Sequence, residues 1–599
     1  MGTVPFEMIE YIMNCDELSF KDICRLSSVC RIFNCIAKSN KLWQNKYKLT
    51  WPHLAGLYDA QNTDWKFEFC QRYELKKLIS QRLEEMTREY YHHENISHEA
   101  FVNFRTLCAE RPINHNLIID EINSILQATE SHLNLTIKYY AKKCLRFVRH
   151  LQLETEWRNF LARPSNKITL LEGACLISQW CQPTDIDCLR DTFYFINNLA
   201  RMALVNIRDK LPDHPAVRKE SLHVSNEVLE KSLWSPSDCK ILLKSLNSVF
   251  YRTRSYQSSK NDFSCAEYTF IDKVIFRGIG IPIVLGILYQ TVAARLGIAC
   301  FPINVAGHIF LKWLEHPQLE GEQAYTYIDI LEDGAFRTWA HVDSYVVEAG
   351  EDPNTKAEPV PARKLFIQMC WNLVEVGRQI HGVGEGYLCL CDALELLSIL
   401  SPDDMENKLL LARVYMHLAI NMTEVISLLQ EIASHDPLST GIVGYMHQSA
   451  LTTMETQKIK MHQLKEKVKV QTRDDENRVK FAVGMIMKHK MYNYRCVIYG
   501  WDSECVASRD WIKQMGVYKL PSKDRQPFYH VLAEDGTNRY AAQENLEIDN
   551  EIEEITHIEI GRYFESYHEN YYRPNKQKEF EYPQDGEARM KILSSIKDS

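Results

Sequence analysis

Two polar residues stand inside apolar runs of the middle third of the chain. His308 lies in Val305-Ala306-Gly307-His308-Ile309-Phe310-Leu311-Lys312-Trp313, and Asp329 in Tyr325-Thr326-Tyr327-Ile328-Asp329-Ile330. A histidine oriented by a carboxylate can take the proton of a nucleophile, which is the chemistry of acyl transfer. The thiols nearest in sequence are Cys265 and Cys300, and neither begins the apolar helix that opens at Pro282. Other groupings are weaker. Gly278-x-Gly280 lacks the third glycine and the preceding strand of a dinucleotide site and reads as a helix entry. His93-Glu94 with His98 misses the H-E-x-x-H spacing by one residue, so the two histidines leave a common helix face. Met485 and Met487 alternate along a strand pattern and read as core filler. The 18 cysteines include no C-x-x-C pair, and the closest, Cys389-Leu390-Cys391, sits in a helical pattern. No metal or cofactor is expected.

The elements that must position these residues follow from periodicity. Residues 4–50 place Phe6, Ile9, Ile12, Ile23, Leu26, Val29, Cys30 and Phe33 at helical spacing, with Asp16 available as a cap between segments. Residues 51–165 read as a helical linker, with amphipathic stretches over Trp65–Met86 and Ile118–Arg149 and a boundary at Ala162–Asn166. Residues 166–345 mix helices with a few strands, and an acidic, proline-bearing linker spans 347–362. Residues 363–440 are helical pairs, and a polar connecting helix occupies roughly Val443 to Val470 within 443–475. From 478 to 577 the pattern alternates, with a turn signal at Glu534-Asp535-Gly536-Thr537, and predicts a small antiparallel barrel. The fold class is multidomain and mostly α.

At 599 residues, with 45% hydrophobic and 25% charged residues, the composition is that of an ordinary globular protein. A net charge of −9 argues against a general nucleic-acid binder. The first residues lack a signal-peptide pattern. Gly2 is not followed by the Ser or Thr of a myristoylation site, since Phe6 stands there. The most apolar stretch, Ile279–Tyr289, is too short to span a bilayer. Reduced thiols in the cytoplasm or nucleus are expected, without membrane contact.

Three resemblances organise these segments. Residues 1–50 carry Val4-Pro5-Phe6, Leu18, Asp22-Ile23, Leu26, Val29-Cys30-Arg31 and Leu42-Trp43, and this resembles the F-box. Val4 stands where Leu is usual, and Phe33 where Trp is usual. A three-helix module cannot bury all that apolar surface on itself. The resemblance implies a Skp adaptor on Pro5, Ile9, Ile12, Leu18, Ile23, Leu26, Val29, Cys30 and Trp43, and through it cullin and RING subunits. Residues 166–345 resemble the SirB-type branch of the transglutaminase-like superfamily. In that superfamily a cysteine at the helix start is the nucleophile. Pro282 holds that position here, so Pro282, His308 and Asp329 form a degenerate triad, and a non-catalytic domain is expected. Residues 363–440 resemble tetratricopeptide-type pairs, too few to stand free of the preceding domain.

Residues 478–577 resemble the HspQ/YccV family, a small barrel also described as binding hemimethylated DNA. Residues 478–578 carry 15 basic and 15 acidic side chains, so the footprint expected for phosphate is lacking. Protein or degron binding is expected there instead, through Tyr492, Tyr494 and Trp501. The three domains in this order resemble one family of F-box proteins. The expected function is substrate recognition in a Skp-cullin-F-box (SCF) ubiquitin ligase. The alternatives are a cysteine hydrolase or transamidase with an accessory F-box, and a DNA-binding adaptor.

Overall fold

The structure, a computed structural model, describes the chain except residues 1–4, 129–133, 184–187, 220, 221, 223–227, 260–264, 306, 349–357, 380–384, 436–439, 467–469, 474–477, 550, 552, 598 and 599. The chain forms two compact units, residues 1–149 with 466–599, and residues 150–465.

The N-terminal helices are α1 (Phe6–Asn14), α2 (Phe20–Ser27), α3 (Arg31–Ile36) and α4 (Asn40–Thr50), four where three were expected. The extra break falls at Cys30, whose extended backbone and Sγ, accepting from the Phe33 N–H, start α3. The cap of α2 is Ser19 and not Asp16. Its Oγ accepts the Asp22 N–H while Asp22 accepts the Ser19 N–H, a reciprocal capping box. Val4 lies outside the described residues. Behind these helices run α5 (Trp65–Glu89), α6 (Val102–Glu110), α7 (Asn114–Gln127) and the first part of α8 (Leu135–Leu161). The single stretch expected over 118–149 is thus divided between α7 and α8. Trp43 lies edge-on to Phe69 of α5 at 5.1 Å, and Tyr47 to Trp65 at 5.3 Å.

The second unit begins with α9 (Leu170–Cys181), α10 (Cys188–Arg208), α11 (Pro215–Arg218) and α12 (Pro236–Asn247), which runs into a π-helical turn at Ser248–Thr253. Strands β1 (Gln257–Ser258) and β2 (Ile279–Gly280) pair in parallel around α13 (Ile271–Arg277). Then come α14 (Pro282–Arg295) and an antiparallel sheet in sequence order, β3 (Cys300–Val305), β4 (His308–Leu314), β5 (Tyr325–Asp329) and β6 (Ala335–Arg337), followed by α15 (Trp339–Glu348). Most of the linker expected over 347–362 lies outside the described residues. Helices α16 (Ala362–Gln379), α17 (Glu385–Leu400), α18 (Met405–Leu418) and α19 (Met422–His435) contact one another consecutively, and α20 (Thr440–Glu466) follows. A continuous core joins α9, α10, α12 and α14 to α16–α19, so the repeat-like helices are packed on the α+β domain. Gly173 of α9 leaves the room that the Phe366 ring of α16 fills.

The chain returns to the first unit with β7 (Ile486–His489), β8 (Arg495–Asp502), α21 (Arg509–Gln514), β9 (Phe528–Ala533), β10 (Asn538–Ala542) and β11 (Leu546–Ile548). The antiparallel order is β10-β9-β8-β7-β11. In a flat sheet the outer strands would lie about 19 Å apart. The four steps from Ala542 to Leu546 reach only about 14 Å. The sheet must therefore curl, and it forms the small barrel. Helix α22 (Ile560–Tyr563), the hairpin β12 (Phe564–His568) and β13 (Tyr571–Pro574), α23 (Lys576–Glu581) and α24 (Asp585–Lys597) cover it.

The segment expected as a linker does more than connect. Thr136 of α8 donates to the Phe564 carbonyl at 3.0 Å, and Arg562 Nε donates to the Tyr91 carbonyl at 3.0 Å. The Lys578 ammonium sits among the rings of Tyr91, Tyr499, Tyr563 and Tyr582 at 5.2–5.7 Å and pairs with Glu581 at 2.6 Å. The N-terminal helices and the barrel share one buried, polar seam.

Candidate functional site

The N-terminal helices divide their apolar residues between inside and outside. Met13, Ile23, Ile36, Leu42, Trp43 and Tyr47 are buried, and Trp43 Nε1 donates to the Ala37 carbonyl at 2.8 Å. Met8, Ile12, Val29 and Ile32 stay 48–63% exposed. Met8 and Ile12 are one turn apart on α1, Ile32 is on α3, and the two helices touch. Pro5 and Cys30 are also open, while Ile9, Leu18 and Leu26 are half-buried. Ile23 and Trp43, expected on the adaptor-binding surface, are corrected to core positions. They hold the helices together and present nothing outward. Met8 and Ile32 were missed, although Met8 lies at helical spacing from Ile12.

In the central unit His308 Nε2 and Asp329 Oδ1 meet at 3.0 Å, and the Leu331 N–H donates to the same oxygen. Burial pushes the Asp329 carboxyl up. The His308 hydrogen bond and charge, with backbone N–H groups of Leu331 and Glu332, outweigh it and hold the carboxyl below its ordinary value. The His308 ring stacks on Phe310 at 4.3 Å and meets Tyr345 of α15 at 4.7 Å.

Strand alternation fixes which side this pair occupies. Leu311, Trp313 and Ile328 belong to the large core with α14, and a β-carbon on Gly286 of α14 would lie 3.2 Å from Ile309. Phe310 and Tyr327 instead pack with Val342 and Val346 of α15. His308 and Asp329 share that α15 face. Pro282 is the first residue of α14, on the other face. The structure thus joins His308 with Asp329 and leaves Pro282 across the sheet. Cys300 is buried, which pushes its thiol well above the ordinary value. Cys265 is partly exposed and lies beside Glu267.

Among the described residues the grouping of metal-ligand type is His150, Asp392 and Glu395. His150 Nε2 lies 2.8 Å from the Trp180 carbonyl and 3.6 Å from Asp392, and Nδ1 lies 3.6 Å from Glu395. The Trp180 carbonyl takes Nε2 and the Tyr415 hydroxyl donates to Glu395 at 2.8 Å, so the histidine and Glu395 are each tied to a neighbouring group.

On the barrel Tyr492 is 72% exposed, and Tyr494 is half-buried under the Arg539 guanidinium at 4.1 Å. Trp501 is 1% exposed and donates to Asp585, so its expected place on a binding surface is corrected to the core. Met485 and Met487 are core as well. The cations Arg495, Arg562 and Lys578 are paired with Asp549, Glu559 and Glu581 at 2.6–2.7 Å, and Arg539 is paired with Asp535.

Three family matches divide the chain along these structural lines: F-box-like over residues 1–48, transglutaminase-like superfamily over 216–370, and hemimethylated DNA-binding protein YccV like over 479–571. "F-box only protein 21" of Pongo abelii is 33% identical over 602 residues, covering 99% of this chain and 93% of its own. The proteins of that name from Homo sapiens and Mus musculus are each 32% identical, over 99% of this chain and 93% and 94% of their own. The chain belongs to the F-box only protein 21 family. No solved structure matches it. In this family member the F-box-like segment is the α1–α4 module with its open apolar face. The YccV-like match ends at residue 571, short of α23 and α24, which complete the barrel. An F-box at the head of such a chain supports a role in substrate recognition through a Skp-type adaptor.

Proposed function

We propose that this member of the F-box only protein 21 family is the substrate-recognition subunit of an SCF ubiquitin ligase. The carrying observation is the face of Met8, Ile12, Val29 and Ile32, left open above a core that already holds Ile23, Trp43 and Tyr47. Apolar groups exposed together on two touching helices favour burial under a partner, here the Skp adaptor, which brings cullin and RING subunits. The central and C-terminal domains take the substrate. Catalysis is by proximity: a docked lysine experiences a high effective concentration of the ubiquitin-charged E2 enzyme. The transglutaminase-like domain contributes recognition and no reacting group. Proline at the start of α14 offers neither thiol nor hydroxyl, and His308 and Asp329 lie on the far face. DNA binding by the barrel is disfavoured because its 15 basic side chains are matched by 15 acidic ones and Arg495, Arg562 and Lys578 are held by internal carboxylates. Cytoplasmic or nuclear action accords with the free thiols of the described cysteines.

The test is co-purification of adaptor and cullin with the wild-type chain, with Ile12→Asp/Val29→Asp, and with a chain lacking residues 1–50. Each aspartate is expected to cost at least about 2 kcal/mol of docking, some thirtyfold in affinity. Equal recovery with all three would overturn the reading.

A further inference from the structure

Away from the adaptor face, the central unit exposes a second apolar cluster. Tyr194 of α10 is 62% exposed and Phe276 of α13 is 61% exposed. Phe195 links them, lying edge-on to Phe276 at 4.6 Å and to Tyr194 at 5.8 Å. Two large rings held open side by side are costly in water and mark a contact surface.

The cluster has a charged border built by unusual backbone. The π-helical turn at Ser248–Thr253 packs against α10, and Ser255 just beyond it adopts a left-handed φ of 55°. Both features are departures from regular helix that the surrounding structure must hold in place. They present Arg252 and Arg254 to solvent, and Arg254 Nη2 reaches the Ile275 carbonyl at 3.3 Å, next to Phe276. Arg277 is neutralised by Glu267. Neither Arg252 nor Arg254 has a carboxylate partner among the described residues.

We propose that Tyr194, Phe195 and Phe276, with Arg252 and Arg254, form a docking site for an acidic segment carrying an aromatic or aliphatic side chain in the protein to be ubiquitinated. The proposal rests on the recruiting role above and names the chemistry of what is recruited. The rings bury the apolar side chain, and the exposed guanidinium groups of Arg252 and Arg254 pair with carboxylates beside it.

The experiment uses the full chain and fluorescence polarisation with three labelled peptides. One alternates Glu with Phe and Leu, one replaces every Glu by Lys, and one replaces every apolar residue by Ser. The acidic apolar peptide is expected to bind, and the other two to bind at least roughly tenfold more weakly. Arg252→Glu/Arg254→Glu and Tyr194→Ser/Phe276→Ser should each weaken the first peptide at least roughly tenfold, with adaptor co-purification and thermal melting unchanged. Equal binding of the Glu and Lys peptides, or unaltered binding by both variants, overturns the site. A wild-type dimer lost in Tyr194→Ser/Phe276→Ser, by sedimentation, would assign the patch to a second copy and also overturn it. If the adaptor never co-purifies while the peptide behaves as expected, the ligase reading fails and the docking site stands.

Discussion

Replacing Asp585 should loosen the whole C-terminal barrel, although it lies beyond the part of the chain that matches the YccV-like family. Asp585 is 2% exposed at the start of α24. One carboxylate oxygen accepts the Val483 N–H at 2.7 Å and Trp501 Nε1 at 3.0 Å, and the other accepts Arg473 Nε at 2.8 Å. Arg473 also donates to the Val479 and Phe481 carbonyls, so its guanidinium is fixed and cannot follow a lost partner. Each hydrogen bond to a charged group contributes about 1.5–3 kcal/mol. Breaking a buried ion pair from one side costs about 3–5 kcal/mol. The three bonds share one group and do not add, so Asp585→Ala is expected to cost about 4 kcal/mol. Asp585→Asn keeps an acceptor for one side and should cost about half of that. Hydrogen exchange at peptides covering 481–501 reads this locally. A loss below about 1 kcal/mol for Asp585→Ala would show that α24 rests on the barrel without holding it, and would refute the reasoning.

Other outcomes follow from the same contacts. Trp43→Ala should destabilise the N-terminal helices by about 3–5 kcal/mol, whereas Val29→Asp should move stability by no more than about 0.5 kcal/mol, as measured by urea unfolding. Gly484→Ala should cost more than about 3 kcal/mol in the same assay, because φ there is 90° and a β-carbon would overlap the Tyr572 carbonyl. Burial holds His92 and His93 below the ordinary imidazole value; Glu581 opposes this at His92, and Arg562 reinforces it at both. The unfolded chain then binds protons more readily, so seam stability is full above about pH 6.5 and falls as pH drops below it. Burial raises Glu94, whose proton uptake in the folded chain opposes this as pH falls. Exchange protection of residues 555–575 should therefore fall between about pH 7.5 and pH 5.5, and His92→Gln/His93→Gln should flatten the change; equal profiles would count against it.

The N-terminal module and the His308–Asp329 pair were legible because their signals are local: helical spacing, a capping pattern, two neighbouring strands. What was not legible depended on parts far away in the chain. Trp43 and Val29 are both apolar at helical spacing, and only the position of α5 makes one interior and the other exposed. Trp501 reads as a strand aromatic with a free face until α24 supplies Asp585, 84 residues later. Thr136 and Phe564 are 428 positions apart, so no pattern within 51–165 reports that this segment docks on the barrel. Asp16 offers a cap by residue type alone, whereas Ser19-Phe20-Lys21-Asp22 contains the reciprocal pair that the fold uses. Which face of a sheet a strand residue occupies is likewise set by what packs on it, and α15 and α14 separate His308 from Pro282.

The seam bears on how proximity can work. An effective concentration is gained only when adaptor and cargo are held in a narrow range of geometries. The two ends of this chain fold into one unit, with the F-box-like helices continuing through α5 to Tyr91, and Tyr91 closing on Lys578 and Arg562 beside the barrel. An apolar seam would hold as strongly but slide more freely. A lysine ringed by four tyrosines and a carboxylate tolerates one register, since displacement strands the ammonium or Glu581 without its partner. The polar residues of the seam therefore act on orientation more than on affinity. Whatever docks on the barrel inherits the direction set by α1–α5.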